Sequence, residues 1–540
     1  MTQGNPRLKS APRCAATEDV AVTIHAFFAM EPVLRNATMT HELIAAVDLG
    51  SNSFRLQVGR VDGDQIYPLD SVKEAVRLAE GLTPQKTLDG PSQLRALDTL
   101  RRFGERLRGF DADAVRAVGT NSLRVAKNAT QFLVEAEAAL GFPIEVIAGR
   151  EEARLIYVGV AHTLPNPATQ QLVVDIGGGS TEFIIGKSFE SLALESLYMG
   201  CVSYSIEFFS EGRIDKKSLR EAELAARKEL QTIGRHFRKV GWDQAVGSSG
   251  TAKAICDMIE LAGYSDGGIT REGLEMLKAR LLKAGDLKAA DLPGLRPDRV
   301  PVISGGLAIM SAVFEEFGLE RMRFSEGALR LGVLYDLLGR YHHHDLRDAT
   351  VRNFMRRYEI DDKQAQRVSD TALALLRQVC IEPLPEDHPE THFLDWAAHL
   401  YETGISVAHS SYHKHSAYIL ANADMPGFSR RDQARLARLV LAHRGKLQRV
   451  QGLEADSRDW VLILCLRLAV LVHRARDDVG VPPMQLLPTP KGFRINADEE
   501  WLANSPLTAA ALQEEVRQWS SVGKDLRIKT SRPKEQIAAS

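Results

Sequence analysis

Two segments, Ala46-Val-Asp-Leu-Gly-Ser-Asn-Ser-Phe54 and Val174-Asp-Ile-Gly-Gly-Gly-Ser-Thr-Glu-Phe183, combine the same chemistry twice: an Asp, then a cluster of glycines and hydroxyls. The carboxylates of Asp48 and Asp175 can hold Mg²⁺ or its waters. Backbone N–H groups freed by Gly50 and by Gly177, Gly178 and Gly179 can approach phosphate oxygens, and Ser51, Asn52, Ser53, Ser180 and Thr181 add donors. Asp48 and Asp175 lie 127 positions apart, about one domain's length. Two such turns, one from each of two lobes, are what closure on a chain of phosphates requires.

The elements that must carry them follow from the flanking residues. Each motif is preceded by an apolar run (Leu43–Val47, Leu172–Val174) and followed by another (Phe54–Val58, Phe183–Ile185), predicting a strand, a tight turn and a returning strand. Strand-to-helix junctions recur at Gly119-Thr120-Asn121-Ser122, Gly247-Ser-Ser249-Gly250-Thr251, Ser304-Gly-Gly306 and Ser325-Glu-Gly327. Such junctions aim free N–H groups and a helix's positive end at anions. Arg124 and Lys253, early in the helices that follow, could reach back to a phosphate, and Arg55 and Arg330 are further candidates; each is also readable as a solvated residue, Lys253 more readily so.

Glu151-Glu152 opens a helix after Gly149-Arg150. Acids are favoured in a first helical turn for electrostatic reasons alone; the alternative is a general base that orients water at a terminal phosphorus. Glu182, on the same strand face as Ser180, is readable either as part of a metal shell or as a solvated edge residue.

Strands alternating with helices predict an α/β fold, with lobe I over 41–155 and lobe II over 156–340. Residues 341–480 are predicted to be helical, 481–530 a small α+β domain and 531–540 a tail; 1–40 is expected to be either a disordered tail or a non-native extension, Met39 being the natural start in the second case. In the helical stretch His399, His409, His413 and His415 suggest a metal cluster, with His409 and His413 spaced to share a helix face. The slot where helical metal phosphohydrolases carry a His-Asp pair reads Tyr401-Glu402, which argues against a working centre. His342-His-His344 is read as a junction without a metal role.

The bulk numbers bound the rest. A chain of 540 residues with 44% hydrophobic and 26% charged content is an ordinary soluble multidomain composition. A net charge of −2 excludes a global basic field for nucleic acid. Five scattered cysteines (Cys14, Cys201, Cys256, Cys380, Cys465) form no CxxC pair, which favours a reducing compartment over a disulfide framework or zinc site. No run reaches the roughly 20 apolar residues of a membrane span, so a cytoplasmic place is expected, with peripheral attachment to the membrane left open.

These motifs in combination, with Gly149-Arg-Glu-Glu-Ala-Arg154, Met199-Gly-Cys-Val-Ser203, Glu326-Gly-Ala-Leu-Arg330 and His415-Ser-Ala-Tyr-Ile-Leu420, resemble the exopolyphosphatase and guanosine pentaphosphate phosphohydrolase family, from about Leu43 to beyond Ile495. The resemblance implies two actin-like (ribonuclease-H-like) lobes, an HD-like helical domain that has lost its metal dyad, and a small α+β C-terminal domain. It implies Mg²⁺, often K⁺, and a homodimer whose interface helps form a channel. It places the catalytic Glu on Glu152, with Asp175 and Glu182 beside it and Asp48, Asp175 and Glu182 toward the metal. The activity expected is processive removal of terminal phosphate from inorganic polyphosphate. Hydrolysis of guanosine pentaphosphate is the alternative at the same site, and an ATP-binding actin-like or kinase-like module is the rival from another class.

Overall fold

The computed structural model describes residues 41–63, 65–164, 169–209, 213–285, 292–341, 346–380, 388–450, 452–476 and 484–531. The expected extension with Met39, the His342–His344 junction and all but Ser531 of the expected tail lie outside them.

One compact unit is built from the described residues up to Arg347 together with Asp424–Asp432. It contains two sheets with the same core topology. The first has the order β3 (Gln65–Glu74), β2 (Phe54–Asp62), β1 (Leu43–Leu49), β4 (Val115–Gly119), β5 (Ile144–Val146). The second has the order β10 (Ile269–Thr270), β11 (Arg321–Phe324), β9 (Gln244–Ser248), β6 (Gln171–Ile176), β7 (Thr181–Lys187), β8 (Glu190–Leu197). In each, an Asp-bearing strand pairs antiparallel with the strand returning from its glycine turn and parallel with the strand on its other side.

Strand alternation explains where the Asp residues point. Ala45, Val47 and Leu49 of β1 join one lobe's own core, while Ile44 and Ala46 join a core shared by both sheets. Leu172, Val174 and Ile176 of β6 belong to the other lobe's core and Val173 to the shared one. Successive side chains alternate faces, so Asp48 and Asp175 both stand on the shared face. The helices Gly149–Ala161 and Leu329–Tyr341 fill that shared core through Ala153, Leu155, Ile156, Tyr157 and Val160 on one and Val333, Leu334 and Leu337 on the other. The lobe boundary expected at 155 therefore cuts a continuous helix that serves both sheets. Among the described residues no strand leads into the junction expected at Ser304-Gly-Gly306: Pro301 and Val302 lie in a turn, and Ser304, Gly305 and Gly306 are inside the Ile303–Phe317 helix.

The other unit comprises Asp348–Ala423 and the chain from Gln433 onward. Its described elements are helices from Leu346–Arg357 to Asp459–Val472, followed by a three-stranded sheet, β12 (Gln485–Thr489), β13 (Gly492–Asp498) and β14 (Asp525–Ser531), with helices Glu499–Asn504 and Pro506–Ser520 between its last two strands.

Candidate active site

At the ends of β1 and β6 the two glycine turns meet. A Cβ built on Gly178 would lie 2.9 Å from Ser51 Cβ, and one on Gly179 would lie 2.5 Å from Asn121 Oδ1, so only glycine permits this approach. The turns border a cleft of about 340 Å³. Of the expected residues, Asp48, Gly50, Ser51, Asn52, Ser53, Thr120, Asn121, Glu152, Asp175, Gly177, Gly178, Gly179, Ser180, Ser249, Gly250, Thr251 and Lys253 line it, as do Arg55 and Arg330.

Three expected residues stand differently. Thr181 is fully buried and its hydroxyl donates to the Met199 carbonyl at 2.6 Å, because it shares strand parity with Phe183 and Ile185 of the lobe core. Arg124 does not line the cleft; its Nη1 donates to Glu152 Oε2 at 2.6 Å and to the Ile147 carbonyl at 3.1 Å. Glu182 is only 1% exposed and lies behind the wall, paired across the ladder with Asp175 and accepting from Ser196 Oγ at 2.8 Å.

The cleft lining carries both acids and bases. Burial pushes Asp48 up to about 6 and Asp175 up to about 7, with the Glu152 charge adding to both against the opposing pull of neighbours such as Arg55. Burial, then Glu152 and Asp175, raises Glu182 well above the carboxylate range. Arg55, Arg299 and Arg330 line the same cleft, Arg55 directly across the ladder from Asp48. Burial and the nearby Arg55 charge bring Arg330 down to about 10, and burial also lowers Arg299. Desolvated cations of like sign facing one cleft are stabilised by an anion between them.

Ser249, at φ 81°, opens the Ser249–Leu261 helix in a left-handed conformation rare for a non-glycine residue, and its Oγ accepts from Thr251 N at 3.2 Å. The sequence reading passed over Arg299, in the loop ahead of the Ile303–Phe317 helix, and named Ser122 only as the end of its junction; Ser122 Oγ donates to Ser51 Oγ at 2.8 Å. Arg299 sits in a charged loop with no periodicity to single it out. Ser122 follows two residues that were chosen, and only its proximity to Ser51 marks it.

Residues 57–341 match the Ppx/GppA phosphatase family, and residues 346–516 match the Ppx/GppA phosphatase domain III. The chain belongs to the Ppx/GppA phosphatase family. A guanosine-5'-triphosphate,3'-diphosphate pyrophosphatase of Pseudoalteromonas translucida is 37% identical over 489 residues, 89% of this chain and 97% of that protein. The solved exopolyphosphatase of Cytophaga hutchinsonii superposes with a TM-score of 0.51 at 24% identity, over 55% of this chain and 97% of that one. A solved exopolyphosphatase-like protein gives 0.50 at 24%, over 54% and 97%. The structural likenesses show the fold, an actin-like pair of lobes; the family makes the chain a phosphatase of phosphoanhydride bonds.

In this Ppx/GppA phosphatase the histidines of the helical unit do not assemble a metal centre, and among the described residues no group of three or more His, Cys, Asp or Glu could hold an ion unaided. His409 precedes the Tyr412–Asn422 helix instead of sharing a face with His413. His413 Nε2 meets Arg449, and His399 Nδ1 pairs with Asp395 at 3.2 Å. Tyr401 is buried, its hydroxyl accepting from Gln364 at 3.3 Å.

Proposed function

We propose that this enzyme removes the terminal 5'-phosphate of guanosine 5'-triphosphate,3'-diphosphate, with Glu152 as the base that orients and deprotonates the attacking water. The observation that carries the reaction type is Glu152 itself: 7% exposed, its Oε2 held by Arg124, on the wall of a cleft that Arg55, Arg299 and Arg330 also line. The nucleotide is preferred over linear polyphosphate because the Pseudoalteromonas relative, matched over nearly its whole length, bears that name. Polyphosphate, which the sequence reading placed first, stays as the second reading. One feature favours it: Phe324 is the sole aromatic on the cleft wall among the described residues, and Lys253 Nζ sits 5.3 Å over its ring.

Asp48 and Asp175 fit a divalent cation. Asp48 Oδ1 is buried without a hydrogen-bond partner, and both carboxylates stand in a site whose burial disfavours their charge. Mg²⁺ is typically held by one or two carboxylates, with phosphate oxygens and water completing its shell; bound there it would neutralise charge on the phosphates. Glu182, behind Asp175, would tune that carboxylate instead of ligating. Arg124 would hold Glu152 in place, and the arginines of the cleft with the N–H groups of the glycine turns would orient the substrate for in-line attack. A K⁺ requirement, a homodimer and a cytoplasmic place complete the reading; light scattering and salt substitution test the first two. Among the described residues no helix is long and apolar enough to cross a membrane.

The deciding assay offers guanosine pentaphosphate, long-chain polyphosphate and ATP to the purified protein with Mg²⁺ and compares kcat/KM for orthophosphate release. Guanosine pentaphosphate is expected to lead by at least tenfold. A tenfold lead for polyphosphate makes the second reading the correct one.

A further inference from the structure

Residues 150, 151 and 152 open one helix, and each is gripped by a different part of the fold. Arg150 Nη1 donates to Asp424 Oδ2 at 2.9 Å, and its Nε donates to Glu195 Oε2 at 3.2 Å. Glu152 faces the cleft and is held by Arg124. Glu151, one residue earlier and about 100° around the helix, is absent from the cleft wall and only 3% exposed.

Its carboxylate is fully engaged. Arg154 binds it in a two-pronged fashion, Nε to Oε2 at 2.8 Å and Nη2 to Oε1 at 2.7 Å. The Gly427 amide donates to Oε2 at 2.9 Å. Arg154 Nη2 also reaches Asp336 Oδ1 at 2.5 Å, Asp336 Oδ2 accepts from Arg116 Nη1 at 2.5 Å, and Arg116 continues to Glu145 Oε2 at 3.1 Å. One chain of charge-assisted bonds thus ties the first turn of the Gly149–Ala161 helix to the Leu329–Tyr341 helix, to β4 and β5, and to Asp424–Asp432, a segment far away in sequence that belongs to this unit. Gly427 presents its N–H from φ +86°, a conformation that favours glycine.

We infer that Glu151 is a positioning residue for Glu152, and that Asp424–Asp432 acts through it as a clamp on the first turn of the catalytic helix. Placing one more carboxylate next to a site already crowded with Asp48, Asp175 and Glu152 has an electrostatic cost, and buried ion pairs as a class contribute little net stability. What such a network does supply is a fixed geometry for the atom next door. Catalysis by an oriented base is sensitive to that geometry, a displacement of about 1 Å costing on the order of 10²-fold. The inference rests on the assignment of Glu152 as the base.

The test measures kcat and KM separately for orthophosphate release by the full chain, on whichever of the two phosphoanhydride substrates the wild type prefers. Glu151→Ala is expected to lower kcat about 10- to 100-fold with KM within threefold of wild type. Glu151→Gln keeps an oxygen for the Gly427 amide and for Arg154, and is expected to recover kcat to within about fivefold. Gly427→Ala, remote from the cleft, should reproduce the kcat loss at unchanged KM by displacing the amide, and it decides the matter if Glu151→Ala fails to fold. Wild-type kcat in Glu151→Ala or Gly427→Ala overturns the inference, as does a loss that appears equally in kcat and KM together with a lowered melting temperature. Glu152→Gln is run alongside. If it is inactive while Glu151→Ala is normal, only the clamp is refuted; if it is active, the base assignment and the clamp fall together.

Discussion

Asp48 and Asp175 occupy equivalent places in the two lobes, but the ladder gives them opposite partners: Asp48 faces Arg55 across β1 and β2, and Asp175 faces Glu182 across β6 and β7. Burial raises both, Asp48 to about 6 and Asp175 to about 7. At Asp48 the charges of Arg55 and Arg330 oppose it, while at Asp175 a hydrogen bond from Ser248 opposes it and the charges of Glu152 and Asp48 add to it. An unfolded Asp titrates near about 3.9, so between pH 4 and 7 the fold binds protons that the unfolded chain has released. That contribution to stability is complete below about pH 4 and is lost as the pH rises through the folded values. Removing the charge should therefore help the metal-free protein where the carboxylate is ionised. In chelator, Asp175→Asn is expected to melt a few degrees above wild type at pH 8, the difference shrinking steadily as the pH is lowered toward about 4, while orthophosphate release disappears. Added Mg²⁺ should raise the wild-type melting temperature by mass action and leave the variant unmoved. A variant that melts lower than wild type at pH 8 would contradict the electrostatic account. Glu152→Gln, which keeps shape and loses basicity, should cost about 10²–10⁴ in kcat.

At the scale of elements, the contact between the two turns is a matter of backbone clearance. Gly179→Ala would set a methyl 2.5 Å from the Asn121 amide, so the turns must separate; kcat/KM is expected to fall at least tenfold while circular dichroism keeps the native signature. The paired hairpins were legible in the sequence because buried central strands must be apolar and tight turns must be glycine-rich, and the local run of residues records both. The shared actin-like order of the two sheets follows from those hairpins and the strand-to-helix junctions. What local sequence does not record is register and distant approach. Thr181 looked like a donor beside Ser180, yet its parity with Phe183 and Ile185 turns it into the lobe core, a signal that strict alternation would have supplied. Arg124 looked like a phosphate ligand because its spacing from Thr120 allows it, but the Gly149–Ala161 helix delivers Glu152 to it first. The acids Glu151 and Glu152 were indistinguishable by type and neighbourhood. The shared core separates them, sending one to the cleft and the other to Arg154 and Gly427.

For the whole molecule, a net charge of −2 supplies no long-range attraction for a polyanion. Substrate must be held by charge gathered locally, and the unit that carries the cleft gathers it from both lobes. Lys73 on β3 meets Asp298, in the loop that also provides Arg299, at 3.0 Å. Partial burial works against that carboxylate's charge, but Lys73 and Arg296 hold it down at about 2. The pair joins the lobes beside the arginines of the cleft. Being part-exposed, it is worth at most about 1 kcal/mol to overall stability, so its effect should be seen in binding more than in folding. Asp298→Asn is expected to leave the melting temperature within about 2 °C of wild type and kcat nearly unchanged, because neither partner touches Glu152. KM should rise about three- to tenfold at low ionic strength, since 1 kcal/mol of lobe closure is about a factor of five in an equilibrium. Salt supplies the control: at about 0.5 M the Debye length falls to a few ångströms, the wild type loses the same attraction, and the two KM values should converge. If the gap in KM persists undiminished in high salt, the pair is acting through packing, and the electrostatic account of lobe closure is wrong.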